Sequence, residues 1–194
     1  MNAFAALPKS VHRAVRSELQ NAFSKNEHVS LPEGSTADID SVQMHLPVAI
    51  GDYTDFSVSK DHNMNAGEAI FGKRFLPRGF LHFPLGYAGR ASSIVISGTP
   101  IERPVGQFVD RSAGGEKVVC KPTEEFDYEL EMAAIIGKPV EAGQRVRAAD
   151  ADEHIFGLVL LNDWSGEFPC CKLGGKTVAY AVLPTYIEPI VSSF

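Results

Sequence analysis

The sequence predicts a mainly β protein with short helices, of the α+β class. From Val42 onward, short apolar runs alternate with Gly and Pro, the texture of strands ended by turns. Only residues 10–23 repeat apolar side chains at helical spacing. With 194 residues, 44% of them hydrophobic and 22% charged, the chain is neither collagen-like, coiled-coil nor wholly disordered. A chain of this length buries roughly 70% of the surface it exposes when unfolded, enough for a true core.

In chain order, Val11, Ala14, Val15, Leu19, Ala22 and Phe23 recur every three or four residues, with Pro8 and Ser10 marking the start of a helix. Such a stripe is expected to pack against another element. The stretch from Glu27 to Asp40, ending in LPEGSTADID, reads as a linker. Ser93–Ser97 (SIVIS), Lys117–Cys120, Leu130–Ile136 and Ile155–Leu161 (IFGLVLL) read as strands, and Asp150–His154 as a short helical turn. Beyond Trp164 no packed element is predicted.

Several function classes are excluded. No apolar run reaches the roughly 18 residues of a membrane span. A net charge of −6 gives no pull toward nucleic acid or anionic lipid. Cys120, Cys170 and Cys171 form neither a disulfide framework nor a C-x-x-C zinc pair, so buried or inert thiols in a reducing compartment are expected. There is no N-x-[ST] acceptor and no apolar signal-peptide core. Lys9, Arg13, Arg16 and Lys25 against the single acid Glu18 have the basic character of a mitochondrial presequence, but the composition favours a soluble, cytoplasmic protein.

Two glycine-rich segments fail as nucleotide sites. In Lys172–Thr177 (KLGGKT) the first glycine of a phosphate loop is replaced by Cys170, and Pro184 leaves little room for the following helix. Gly86–Gly89 (GYAG) lacks the third glycine of a dinucleotide fingerprint.

The acids carry more information. Glu129 and Glu131 are two apart in a predicted strand, so both point to one face, about 7 Å apart along it. Asp163 ends the apolar run of Ile155–Asn162, and Asp55 lies in the loop-like Gly51–Phe56. Hard divalent cations collect carboxylates from separate elements in this way. By spacing alone these four also read as solvated or turn acids, and His62, among Lys60, Asp61 and Asn63, as an exposed histidine.

Four ordered blocks are more specific than this periodicity: Met44–Phe56 (MHLPVAIGDYTDF), Gly86–Pro100 (GYAGRASSIVISGTP), Asp127–Met132 (DYELEM) and Glu153–Ser165 (EHIFGLVLLNDWS). In these the chain resembles the fumarylacetoacetase family. The resemblance implies a fumarylacetoacetase-like mixed β-sandwich roll, incomplete at the C-terminus. It also implies hydrolysis of a carbon–carbon bond of 4-fumarylacetoacetate to fumarate and acetoacetate, in the last step of tyrosine breakdown. It implies a Ca2+ or Mg2+ site on Asp55, Glu129, Glu131 and Asp163, with His62 as general base and Tyr87 touching the substrate. The partner it implies is a small β-diketo acid; family members are typically homodimers.

The chain also departs from the family pattern. Ser57 stands where the family has a substrate-contacting tyrosine, and Phe71 where it has an arginine. After Ser165 the family's A-R-D-I-Q is replaced by Gly166, Glu167, Phe168 and Pro169. Gly175, Lys176 and Thr177 are only an echo of the family's G-K-S-F-G-T. The expected organisation is an N-terminal helix and linker over 1–41, a partial catalytic domain over 42–165 and a divergent tail over 166–194. Besides the hydrolase, this admits a related enzyme acting on another 2-oxo or β-diketo acid. It also admits an impaired cation-binding remnant that associates with a full-length relative.

Overall fold

A computed structural model describes residues 1–24, 31–110, 114–123, 125–167, 181–182 and 185–189. The chain divides into two compact units, one formed by Met1–Ala49, Met132–Leu160 and Glu188–Phe194, the other by Ile50–Glu131 and Leu161–Ile187. Short helices and paired strands give the expected α+β class.

In the first unit, α1 (Asn2–Ala5) precedes α2 (Lys9–Phe23), the predicted helix. Pro8 occupies the N-cap, which suits a residue with no N–H to satisfy. The Asn2 side chain both donates to the Ala49 carbonyl and accepts from its N–H, each at 2.8 Å. The apolar stripe of α2 does not pack as expected: Val15, Leu19 and Phe23 are exposed, and no residue of the helix is buried. The helix instead rests on the side carrying Lys9 and His12. The His12 ring lies 5.0 Å from Phe4 and 5.1 Å from Phe156, its Nε2 meets the Phe4 carbonyl at 2.8 Å, and Lys9 pairs with Asp152 at 3.4 Å. Two aromatic faces and a carbonyl thus outcompete the aliphatic stripe for the contact. A 3-10 turn over Ala148–His154 matches the predicted helical turn.

In the second unit, β1 (Thr54–Phe56) pairs antiparallel with β2 (Gly86–Ala88), and β4 (Val105–Asp110) with β5 (Lys117–Pro122). Helix α3 (Lys60–Phe71) follows β1. Strands β3 (Ile94–Ile96), β6 (Glu125–Ile136), β7 (Ile155–Glu167) and β9 (Thr185–Pro189) form a sheet in the order β3-β9-β7-β6, with β8 (Ala181–Val182) on β7. Of this sheet, β3, β8, β6 up to Glu131, β7 from Leu161 and β9 up to Ile187 belong to the second unit. The predicted strands are all present, but β6 begins at Glu125 rather than Leu130 and β7 runs on to Glu167 rather than Leu161. Ile94 and Leu161 are buried, and the Phe126 and Trp164 rings stack 4.9 Å apart and nearly parallel.

Three readings need correction. Asp55 lies in a strand, not a loop, because β2 supplies a pairing partner that no local signal announces. Paired strands continue beyond Trp164, in the end of β7 and in β8 and β9, where no element is predicted. His62 is exposed as expected, in a helix whose apolar periodicity is weak, with Ser59 capping its start and Gly72, at φ 68°, ending it. Cys120 is exposed rather than buried, since it falls on the outer side of β5. KLGGKT, Cys170 and Cys171 lie outside the described residues, as do residues 25–30 of the linker.

Candidate active site

Two strands each deliver to the second unit a pair of polar side chains two residues apart, hence on one face, and a third delivers a single acid. Strand β6 carries Glu129 and Glu131, and its alternation is inverted from that of an ordinary sheet. The two acids are half-buried, while Tyr128, Leu130 and Met132 on the opposite face are 63%, 71% and 65% exposed. Hiding carboxylates while exposing Leu and Met is unfavourable unless the acids have work to do. Strand β7 carries Asp163 and Ser165, and β1 carries Asp55, preceded by Tyr53.

Carboxylate oxygens of Asp55, Glu131 and Asp163 all lie within 4.8 Å of one another. The predicted fourth acid stands beside this triad: Glu129 accepts a hydrogen bond from the Ser165 hydroxyl at 2.8 Å, and its other oxygen is 4.0 Å from Nε2 of His62. His62 sits in the first turn of α3, where its N–H donates to the capping Ser59 hydroxyl, so the helix start fixes its backbone while its side chain stays free for chemistry. Tyr87 lies directly opposite Asp55 in the β1–β2 ladder and donates to its carboxylate at 2.6 Å. Ser57 continues that ladder through its N–H to the Leu85 carbonyl, and Phe71 is an exposed ring beside Phe75 at the far end of α3.

The electrostatics follow from this crowding. Burial first, then the charges of Asp55, Asp163 and Glu129, push the Glu131 carboxyl up to about 8. Burial raises the Tyr87 phenol far above its ordinary value, reinforced by its hydrogen bond to Asp55, so it remains a donor. Burial and the four carboxylates do the same to Tyr53. Two carboxylates about 4 Å apart repel by about 4 kcal/mol at an effective dielectric near 20. A set of oxygen donors without sulfur or imidazole fits a hard divalent cation, which would relieve that repulsion.

Tyr53 and Ser165 were not singled out by the sequence, although each sits two residues from a predicted ligand and the period of a strand places it on the same face. Close backbone approach shapes this corner: a Cβ on Gly89 would overlap the Tyr53 ring, and one on Gly86 would come within 2.5 Å of the Asp55 carbonyl oxygen. Gly89→Ala is therefore expected to cost about 1–3 kcal/mol of stability by overpacking. A denaturant titration showing an unchanged midpoint would contradict it.

A family model described as fumarylacetoacetate hydrolase C-terminal matches residues 53–169, more than half of the chain and the whole of this site. The chain belongs to the fumarylacetoacetate hydrolase family. A second model, fumarylacetoacetase N-terminal, matches residues 1–47. Among curated relatives, the fumarylacetoacetase of Aspergillus fumigatus is 42% identical over 175 residues, 85% of this chain and 41% of the relative. That of Rattus norvegicus is 41% identical over 172 residues, covering 85% and 40%. That of Emericella nidulans is 36% identical over 211 residues, covering 97% and 49%. The chain thus spans 40–49% of the length of these relatives. Among the described residues, no helix is long and apolar enough to cross a membrane.

Proposed function

We propose that this chain carries a cation-dependent carbon–carbon hydrolase site of the fumarylacetoacetase type, acting on 4-fumarylacetoacetate or a closely similar β-diketo acid. The convergence of Asp55, Glu131 and Asp163 within 4.8 Å, in a chain of this family, is the observation that carries the reading. Glu129 completes the acidic set, and Ca2+ or Mg2+ is the cation these residues would hold. When bound, a divalent cation supplies Lewis acidity and a template for the diketone oxygens.

The chain's own residues account for the remaining steps. His62 Nε2 accepts a proton from the attacking water, and Glu129 at 4.0 Å balances the imidazolium that results. The proton passes on to the departing carbanion as the carbon–carbon bond breaks, giving the two acids. Ser165 holds Glu129 in that orientation through its hydrogen bond. Tyr87, donating to Asp55, holds that carboxylate in its rotamer and keeps an aromatic edge toward the substrate. Serine at position 57, where the family pattern has a substrate-contacting tyrosine, leaves more room next to β1, which supports a substrate that differs from fumarylacetoacetate. Residues 42–165 are the catalytic portion in this reading, and a cytoplasmic homodimer, or association with a full-length relative, is the assembly it carries.

The test is hydrolysis of fumarylacetoacetate, followed as loss of its ultraviolet absorbance, with Ca2+, Mg2+ or a chelator. Turnover that a chelator abolishes and either cation restores is the expected result. Cation-independent turnover would reject the mechanism, and absence of turnover from folded, cation-loaded protein would reject this substrate. Light scattering during size-exclusion chromatography is expected to give twice the 21.0 kDa chain mass.

A further inference from the structure

We infer that Tyr53 is a positioning residue of the cation site, its hydroxyl hydrogen-bonding the oxygen that completes the coordination of a cation held by Asp55, Glu131 and Asp163. That oxygen is a water in the resting site. The inference rests on the cation reading above and assigns a role to a residue outside the acidic set, the base and Tyr87.

The Tyr53 hydroxyl oxygen is buried, and it has no hydrogen-bond partner among the described residues. Its position is nonetheless tightly specified. The Tyr53 carbonyl accepts from Gly89 N–H at 2.8 Å, and the ring fills the space that a Cβ on Gly89 would take. A buried hydroxyl left without a partner is costly, and the ring could have been a phenylalanine at no loss of packing. Two of the four carboxylates have other donors: Asp55 accepts from Tyr87 and Glu129 from Ser165. With one oxygen from each of Asp55, Glu131 and Asp163, a hard cation is short of its usual complement of about six to eight oxygens, so further oxygens enter with it. The Tyr53 phenol, two residues before Asp55, can both donate and accept, and neither capacity is used among the described residues.

Isothermal titration of CaCl2 and of MgCl2 into the wild-type chain and Tyr53→Phe tests this, with melting of both proteins in chelator alongside. Removing an outer-shell partner typically weakens metal binding about 10–100-fold, and a loss of at least about tenfold is expected for Tyr53→Phe. Its melting temperature in chelator is expected to equal or exceed that of the wild type, because the ring is kept and an unpartnered hydroxyl is removed. Equal affinity in the two proteins overturns the inference while leaving the cation site standing. Weaker binding accompanied by a lower melting temperature in chelator assigns Tyr53 to packing and also overturns it. A wild-type chain that takes up neither cation removes the site itself, and this role with it.

Discussion

His62→Ala is expected to lower hydrolysis of fumarylacetoacetate by about 10²–10⁴-fold, the usual contribution of a positioned general base. The substitution is structurally mild. The helix start depends on the His62 N–H and the Ser59 hydroxyl, which alanine preserves, and alanine is a good helix former. The side chain is half-exposed and lies 4.0 Å from Glu129, itself partly exposed, so no buried partner is stranded. The rise in melting temperature on adding Ca2+ or Mg2+ should therefore survive in His62→Ala while the rate collapses. Steady-state kinetics and thermal melting of the same preparations separate the two effects. A variant that keeps the wild-type rate would remove His62 from the mechanism.

Asp163→Ala is expected to abolish the cation-dependent gain in stability. At a hundredfold excess of cation over its dissociation constant that gain is about 2.7 kcal/mol. For a chain of this size it corresponds to a rise of about 5–10 °C, at roughly 2–4 °C per kcal/mol. Asp163 is one of the three acids that meet within 4.8 Å, and its loss leaves only two of that triad, with Glu129 beside them, too weak a set to hold the ion against its hydration. An undiminished rise in this variant would reject the site.

The same cluster sets a pH dependence. Glu131 is raised from an ordinary value of 4.5 to about 8, so the folded, cation-free chain favours its neutral form. That contribution to stability is fully present below about pH 4.5 and is lost as pH rises toward 8. Without cation, melting temperature should fall across this window, and Glu131→Gln should flatten the fall. Cation binding requires the ionised carboxylate, so near neutral pH it should release about one proton, measurable as a buffer-dependent binding enthalpy. A flat profile in chelator would show that Glu131 titrates normally.

The strands of the second half were legible because β-branched and apolar runs bounded by Gly and Pro have few other solutions. The pairing of Glu129 with Glu131 on one face followed from the two-residue period alone. Helix α3 was not legible by periodicity, since KDHNMNAGEAIF has no clear apolar stripe; its cap residues Ser59 and Gly72 were the available signal. Likewise β1 and β2 are three residues each, too short to declare themselves without each other. The α2 stripe was legible but misleading, because the helix contact goes to the His12 side.

By itself, the sequence determined the α+β class, the resemblance to the family and which acids and histidine to consider, since these depend on local patterning and on ordered blocks of text. Only the tertiary structure decided which of them meet. Asp55, Glu131 and Asp163 come from strands far apart in the chain, and Glu129 is turned toward His62 and Ser165 by side-chain hydrogen bonding. Tyr53 and Ser165 entered the site the same way. Convergence of this kind is set by strand register and packing, which act through space and leave no mark in the spacing of residues along the chain.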